Sequence, residues 1–163
     1  DPAVTANADS DETGIVVAGI DSSDHIYVLE DLSVKASPLQ WGRIAIDAYH
    51  RHHADRIVAE VNQGGDLVEA NLRSIDKLIP YEQVRATRGK ILRAEPIAAL
   101  YEQGRVHHVG IFPDLELQMT EYNPQSVDSP DRLDALVWAC TYLTSSRAPR
   151  ASPIAVMGGG SAW

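Results

Sequence analysis

The order of apolar segments along this chain predicts an α/β fold, a mixed central sheet with helices on both faces. Two observations carry the prediction. A hairpin of two apolar runs opens the pattern, and helix-period segments then alternate with short β-branched runs as far as a last long helix.

The first run, Gly14-Ile15-Val16-Val17-Ala18-Gly19-Ile20, has strand character. Asp21-Ser22-Ser23-Asp24 is a turn cluster, and His25-Ile26-Tyr27-Val28-Leu29 returns as the second arm of the hairpin. Ser37-Pro38 offers a cap followed by proline at the first helical position, and Trp41, Ile44, Ala45, Ala48 and Tyr49 continue at helical spacing. Ile57-Val58-Ala59-Glu60-Val61 is a short apolar strand broken by one acid. Gly64-Gly65 marks a tight turn, and Leu67, Val68 and Leu72 mark a second helix. A strand over 81–85, a helix over 91–101 ended by Gly104, a brief strand over 106–109 and a helix over 115–122 follow. The last helix spans 130–143, with Leu133, Leu136, Val137 and Cys140 as its buried stripe. Trp41 and Trp138 fall on apolar helical faces and are expected in the core.

A length of 163 residues suggests one domain, assigned to 1–145. Residues 146–163, rich in Ala, Ser, Pro and Gly, are expected to form a flexible tail, with Gly158-Gly159-Gly160-Ser161 resembling a linker. Hydrophobic residues at 44% and charged residues at 23% exclude a fibre, a disordered chain and a disulfide scaffold. No apolar run approaches the roughly 20 residues of a membrane helix. The start of the chain is unlike a signal peptide, and the lone Cys140 has no internal partner, so a reducing compartment is expected.

The net charge of −9 is unevenly placed. Residues 1–31 hold eight acids and no Lys or Arg, while the remainder carries 15 acids against 14 bases. A protein gripping nucleic acid by charge alone would be basic, so contact with DNA must be local, metal-assisted or imposed by an attached partner. The sequence has no P-loop, no Gly-x-Gly-x-x-Gly after a strand, no Gly-x-Ser-x-Gly elbow, and neither His-Glu-x-x-His nor paired Cys-x-x-Cys.

The acids are more informative. Glu60 interrupts an apolar strand just before Asn62-Gln63-Gly64-Gly65, a place where a carboxylate faces either a ligand crevice or water. Asp131 and Asp134 lie three apart, on one face of the last helix. Acids in a first turn also complement the helix dipole, which suffices for Asp131. Asp134 adjoins the apolar stripe, and a half-buried acid there needs a partner or a cation. Asp1 by itself carries no signal. Converging acids would need cations to stay ionised, and hard oxygen ligands suit Mg²⁺ or Mn²⁺. Two such ions about 4 Å apart clamp the attacking and leaving oxygens in phosphodiester hydrolysis.

Four blocks of sequence are familiar. They are Asp1-Pro2-Ala3 with Asp11-Glu12-Thr13-Gly14-Ile15-Val16-Val17-Ala18-Gly19, then Ala59-Glu60-Val61-Asn62-Gln63-Gly64-Gly65-Asp66. The third is Gly89-Lys90-Ile91-Leu92-Arg93-Ala94-Glu95-Pro96, and the fourth Asp131-Arg132-Leu133-Asp134-Ala135-Leu136-Val137-Trp138-Ala139. In this order, over about residues 1–143, they resemble the nuclease domain of tailed-phage terminase large subunits. The resemblance implies a ribonuclease H-like fold and a metal-dependent DNA endonuclease. It implies Asp1, Glu60 and Asp134 as catalytic metal ligands, Asp131 as an auxiliary fourth, and two ions, Mg²⁺ or Mn²⁺. One ion, on Asp1 and Glu60, would activate water, and the other, on Asp1 and Asp134, would stabilise the leaving 3′ oxygen. It also implies double-stranded DNA, a packaging ATPase, a portal and a small terminase subunit as partners, in the cytoplasm of a bacterial host. In the family a strand precedes the aspartate matched by Asp1, and it is missing from this sequence; if it is truly absent, the central sheet is expected to lose a strand.

The densest basic stretch holds Arg85, Arg88, Lys90, Arg93 and Arg105, and Glu82, Glu95 and Glu102 reduce it to +2 over 81–109. Its glycine at 89 lets a phosphate approach, which makes Lys90 the preferred DNA contact, with Arg88 and Arg93 beside it. Solvation of a helix start accounts for the same charges. Histidines 50, 52 and 53, and 107 and 108, form two clumps without an i, i+4 pair and are assigned surface roles. The rival readings are a junction resolvase on the same fold and an inactive domain that docks on the portal or small subunit.

Overall fold

A computed structural model describes residues 12–61, 65–86, 90–123, 125, 130–145, 148, 150 and 152–158. The hairpin forms as expected. Strand β1 (Glu12–Ile20) pairs antiparallel with β2 (Ile26–Asp31), with a bulge between Val17 and Ala18. The turn is closed by Asp21, whose Oδ1 accepts the backbone N–H groups of Ser23 and His25, both at 2.9 Å. A two-residue strand, β3 (Val34–Lys35), returns to pair with the start of β1.

Helix α1 (Pro38–Arg51), strand β4 (Ile57–Glu60), helix α2 (Gly65–Ile75) and strand β5 (Tyr81–Val84) follow in alternation. Then come α3 (Lys90–Glu102), β6 (Val106–His108), α4 (Pro113–Glu121), α5 (Asp131–Leu143) and β7 (Ile154–Gly158). Gly104, at φ +67°, ends α3 in the left-handed conformation that its lack of a Cβ makes inexpensive.

The described strands form one seven-stranded sheet, β5-β4-β7-β1-β2-β6, with β3 paired to β1. Both faces are covered, and the strands show why. Along β1, Ile15 and Val17 point to the α1 and α2 side, while Val16, Ala18 and Ile20 point to the α3, α4 and α5 side. Strand β7 splits the same way, Ala155 and Met157 against Ile154 and Val156. Trp41 and Trp138 are both buried, one on each side. Among the described residues no helix is long and apolar enough to cross a membrane.

One expectation is corrected by β7. The segment assigned to a flexible tail contains a strand whose five residues are all buried, so the domain boundary at 145 fails and the fold extends to Gly158. β7 lies at the centre of the sheet, between β4 and β1, parallel to the first and antiparallel to the second. Its composition concealed it. A short apolar run has no period of its own and is told from a linker only by the partners it finds.

Candidate functional site

Among the described strands, every pairing is parallel except those made by β1. The carboxyl ends of β4 and β7 therefore share one end of the sheet with the amino end of β1. In open α/β sheets that end is where ligands are received. Here the first turn of α5 lies directly on it, through a pair of glycines. Gly14 of β1 is in register with Gly158 of β7. A Cβ on Gly14 would stand 2.1 Å from the backbone oxygen of Asp131, and one on Gly158 would stand 3.2 Å from the Cα of Ala135. Side chains at these two positions would lift the helix start, and the acids on it, off the sheet.

The start of α5 is fixed by other elements rather than by its own sequence. Its N-cap, Pro130, offers no side-chain acceptor. Instead the Leu133 N–H donates to Gln118 Oε1 of α4 at 3.1 Å, a cap delivered from a different helix. Arg132 then ties the turn to the sheet. It donates to Asp31 Oδ2 at 2.7 Å and to Glu12 Oε2 at 3.2 Å. Asp31 is only 5% exposed, and its other oxygen takes the Ser33 hydroxyl at 2.6 Å. Burial alone would lower the pKa of the Arg132 guanidinium, but Asp31 and Glu12 raise it, so the charge is retained.

Glu60 ends β4, with a side chain 13% exposed. Its cationic neighbour is Arg93 of α3, whose Nη1 lies 3.6 Å from Glu60 Oε1. The Arg93 guanidinium sits over Trp138 of α5, 4.9 Å from the ring centroid. Arg93 also lines a narrow cleft with Asp134, Leu133, Val137 and Tyr122. That cleft has room for about one water molecule. Arg93 thus stands beside the strand-end acid Glu60 and lines one cleft with the late-helix acid Asp134, residues distant in sequence.

Of the expected site residues, Asp1 and Arg88 lie outside the described residues, and Lys90 is described only as the first residue of α3. Glu60 and Asp134 are both partly buried; Glu60 lies beside Arg93, and Asp134 lines a cleft that Arg93 also lines. Asp131 is partly buried in the first turn of α5, with its carbonyl over Gly14. Arg93, which the sequence groups with Lys90 and Arg88 as a DNA contact, has a side chain 11% exposed.

Among the described residues no three His, Cys, Asp or Glu form a group that could hold a metal ion. Glu60 and Asp134 are hard oxygen donors, and that donor chemistry suits Mg²⁺ or Mn²⁺ better than a thiophilic ion. Cys140 is buried, and burial pushes its thiol up to about 12. The two histidine clumps are used elsewhere. His52 pairs with Glu30 at 2.6 Å, His107 stacks on Tyr27 and His25, and His108 links the Tyr101 hydroxyl to Glu116.

Gln118, Arg132, Gly14 and Trp138 shape this end of the molecule without having been singled out as site residues. Arg132, Gly14 and Trp138 lay inside the familiar blocks, and that was their one legible signal. No curated protein and no solved structure gives a match to the chain. A family model described as the terminase RNaseH-like domain matches residues 1–143, ending before β7. With that match over most of its length, and a mixed α/β sheet of the same class, the chain belongs to the terminase RNaseH-like domain family.

Proposed function

We propose that this domain is a divalent-metal-dependent DNA endonuclease, cutting phosphodiester bonds of concatemeric viral DNA during packaging. The observation that supports the reading is Glu60, at the carboxyl end of β4, beside an Arg93 that lines one cleft with Asp134, in a chain of the terminase RNaseH-like domain family. Glu60 and Asp134, with Asp1 and Asp131, would hold two Mg²⁺ or Mn²⁺ ions. When bound, such ions lower the pKa of water and balance charge on the scissile phosphate.

The chain's own part is to present oxygen ligands on rigid supports. Strand β4 fixes Glu60 through pairing on both sides. Helix α5 fixes Asp134 through nine buried residues. Lys90 and Arg88 of the basic stretch would meet the DNA backbone, with weak sequence preference, since no base-reading motif is present. The acidic surface suits a domain to which duplex DNA is delivered by a packaging ATPase, with the portal and small terminase subunit as further partners in the bacterial cytoplasm.

Plasmid cleavage with Mn²⁺, Mg²⁺ or EDTA, run beside Glu60→Ala and Asp134→Ala, tests this. Metal-dependent nicking should fall in both variants by at least about 10²-fold, the scale of losing one charge-stabilising group. A folded wild-type protein that leaves plasmid intact with every ion removes the endonuclease reading. Preferential cutting of four-way junctions over linear duplex would move it to the resolvase class.

A further inference from the structure

We propose that Arg93 is the resident counter-cation of the carboxylate site, a positioning residue that holds Glu60 when no divalent ion is bound and competes with such an ion for it. The proposal rests on reading Glu60 as a metal ligand and goes beyond it, because it assigns what limits metal affinity.

Two partly buried arginines of the same protein show what a structural ion pair looks like here. Arg132 donates to Asp31 at 2.7 Å, and Arg56 donates to the Tyr142 hydroxyl at 2.8 Å and to Glu82 at 3.2 Å. Both spend their donors on close acceptors. Arg93 does not. Its 3.6 Å approach to Glu60 is beyond hydrogen-bond length, and its buried Nε finds no acceptor. What holds the group is the face of Trp138, which attracts a cation and takes no hydrogen bond from it.

Charge without close bonding has a specific consequence. Glu60 gains electrostatic compensation from Arg93, yet its oxygens are not claimed by that guanidinium. They stay available to an ion that can approach more closely. The bound guanidinium and an arriving divalent ion repel one another across the same carboxylate, so Arg93 weakens metal binding in the DNA-free domain. Its long stem over Trp138 lets the charge shift without unfolding α3.

The test is Mn²⁺ titration calorimetry on the whole chain without DNA, with Arg93→Gln, Arg93→Met and Arg93→Lys. Met retains the stem over Trp138 if Gln disturbs folding. Both neutral variants should bind Mn²⁺ at least about tenfold more tightly, and Arg93→Lys should stay near wild type. A second readout needs no metal. In EDTA, the destabilisation caused by Glu60→Gln and by Arg93→Met should be non-additive in the double variant. Unchanged, weaker or undetectable Mn²⁺ binding in folded neutral variants overturns the proposal, as does strict additivity in EDTA. A protein that shows both effects but cuts no DNA removes the endonuclease reading and leaves the role of Arg93 standing.

Discussion

Helices α1 and α5 cover opposite faces of the same sheet, and their N-termini are built in opposite ways. The start of α1 is closed by its own sequence. Ser37 accepts the Gln40 N–H, Gln40 reaches back to the Ser37 N–H, and Pro38 occupies the first position, which needs no hydrogen bond. The start of α5 has none of this. Its cap comes from Gln118 of α4, its seat from Gly14 and Gly158, and its anchor from Arg132 on Asp31 and Glu12. The comparison teaches where chemistry can be placed. A self-capped helix start has spent its polar groups on itself, whereas one held by its neighbours can direct Asp131 and Asp134 at something else.

The contrast can be broken at its anchor first. Arg132→Ala would leave the carboxylate of Asp31 buried and uncompensated, with an expected loss of about 3–5 kcal/mol. Thermal or urea unfolding measures it. A loss near that of an exposed pair would mean that the α5 start is not held by Arg132. Next comes the seat. Gly14→Ala drives a methyl into the Asp131 carbonyl and should cost about 1–3 kcal/mol through overpacking. It should also reduce any cleavage activity more than its stability loss explains, because the displaced backbone carries the acids. Normal activity in a destabilised Gly14→Ala protein would separate the seat from the site.

The smallest effects sharpen the comparison most. Ser37→Ala and Gln118→Ala each remove one cap and should each cost about 1 kcal/mol. Their consequences should differ in kind. Ser37→Ala should raise amide exchange only in the first turn of α1. Gln118→Ala should raise it in the first turn of α5, far along the chain from the substitution, because its side chain bonds α5 and Glu12 rather than its own helix. Equal and local effects for both would erase the distinction drawn between the two starts.

Much of the frame was legible beforehand for the same reason that α1 is self-contained. The β1–β2 hairpin, the α1 cap and the Gly104 stop are written in neighbouring residues, and each appears where the local pattern put it. The pattern of four blocks was legible too, and it agrees with the family match over 1–143. Strand β7 was not. Ile154-Ala155-Val156-Met157-Gly158 is as apolar as a linker is small, and nothing local distinguishes a strand that needs β4 on one side and β1 on the other. The surroundings of Arg93 were not legible for a related reason. Its neighbours in sequence are basic and suggest a surface, while its neighbours in space are Trp138 and Glu60.

The sequence by itself determined the α/β class, the helix and strand periods, and the acids worth attention, because propensity, capping and alternation act over a few residues. Only the tertiary structure decided which strand lies at the centre, which helix caps another, and which cation stands beside Glu60. Those outcomes depend on contacts between segments far apart in the chain, where the energy is gained by burial and pairing rather than by local conformation.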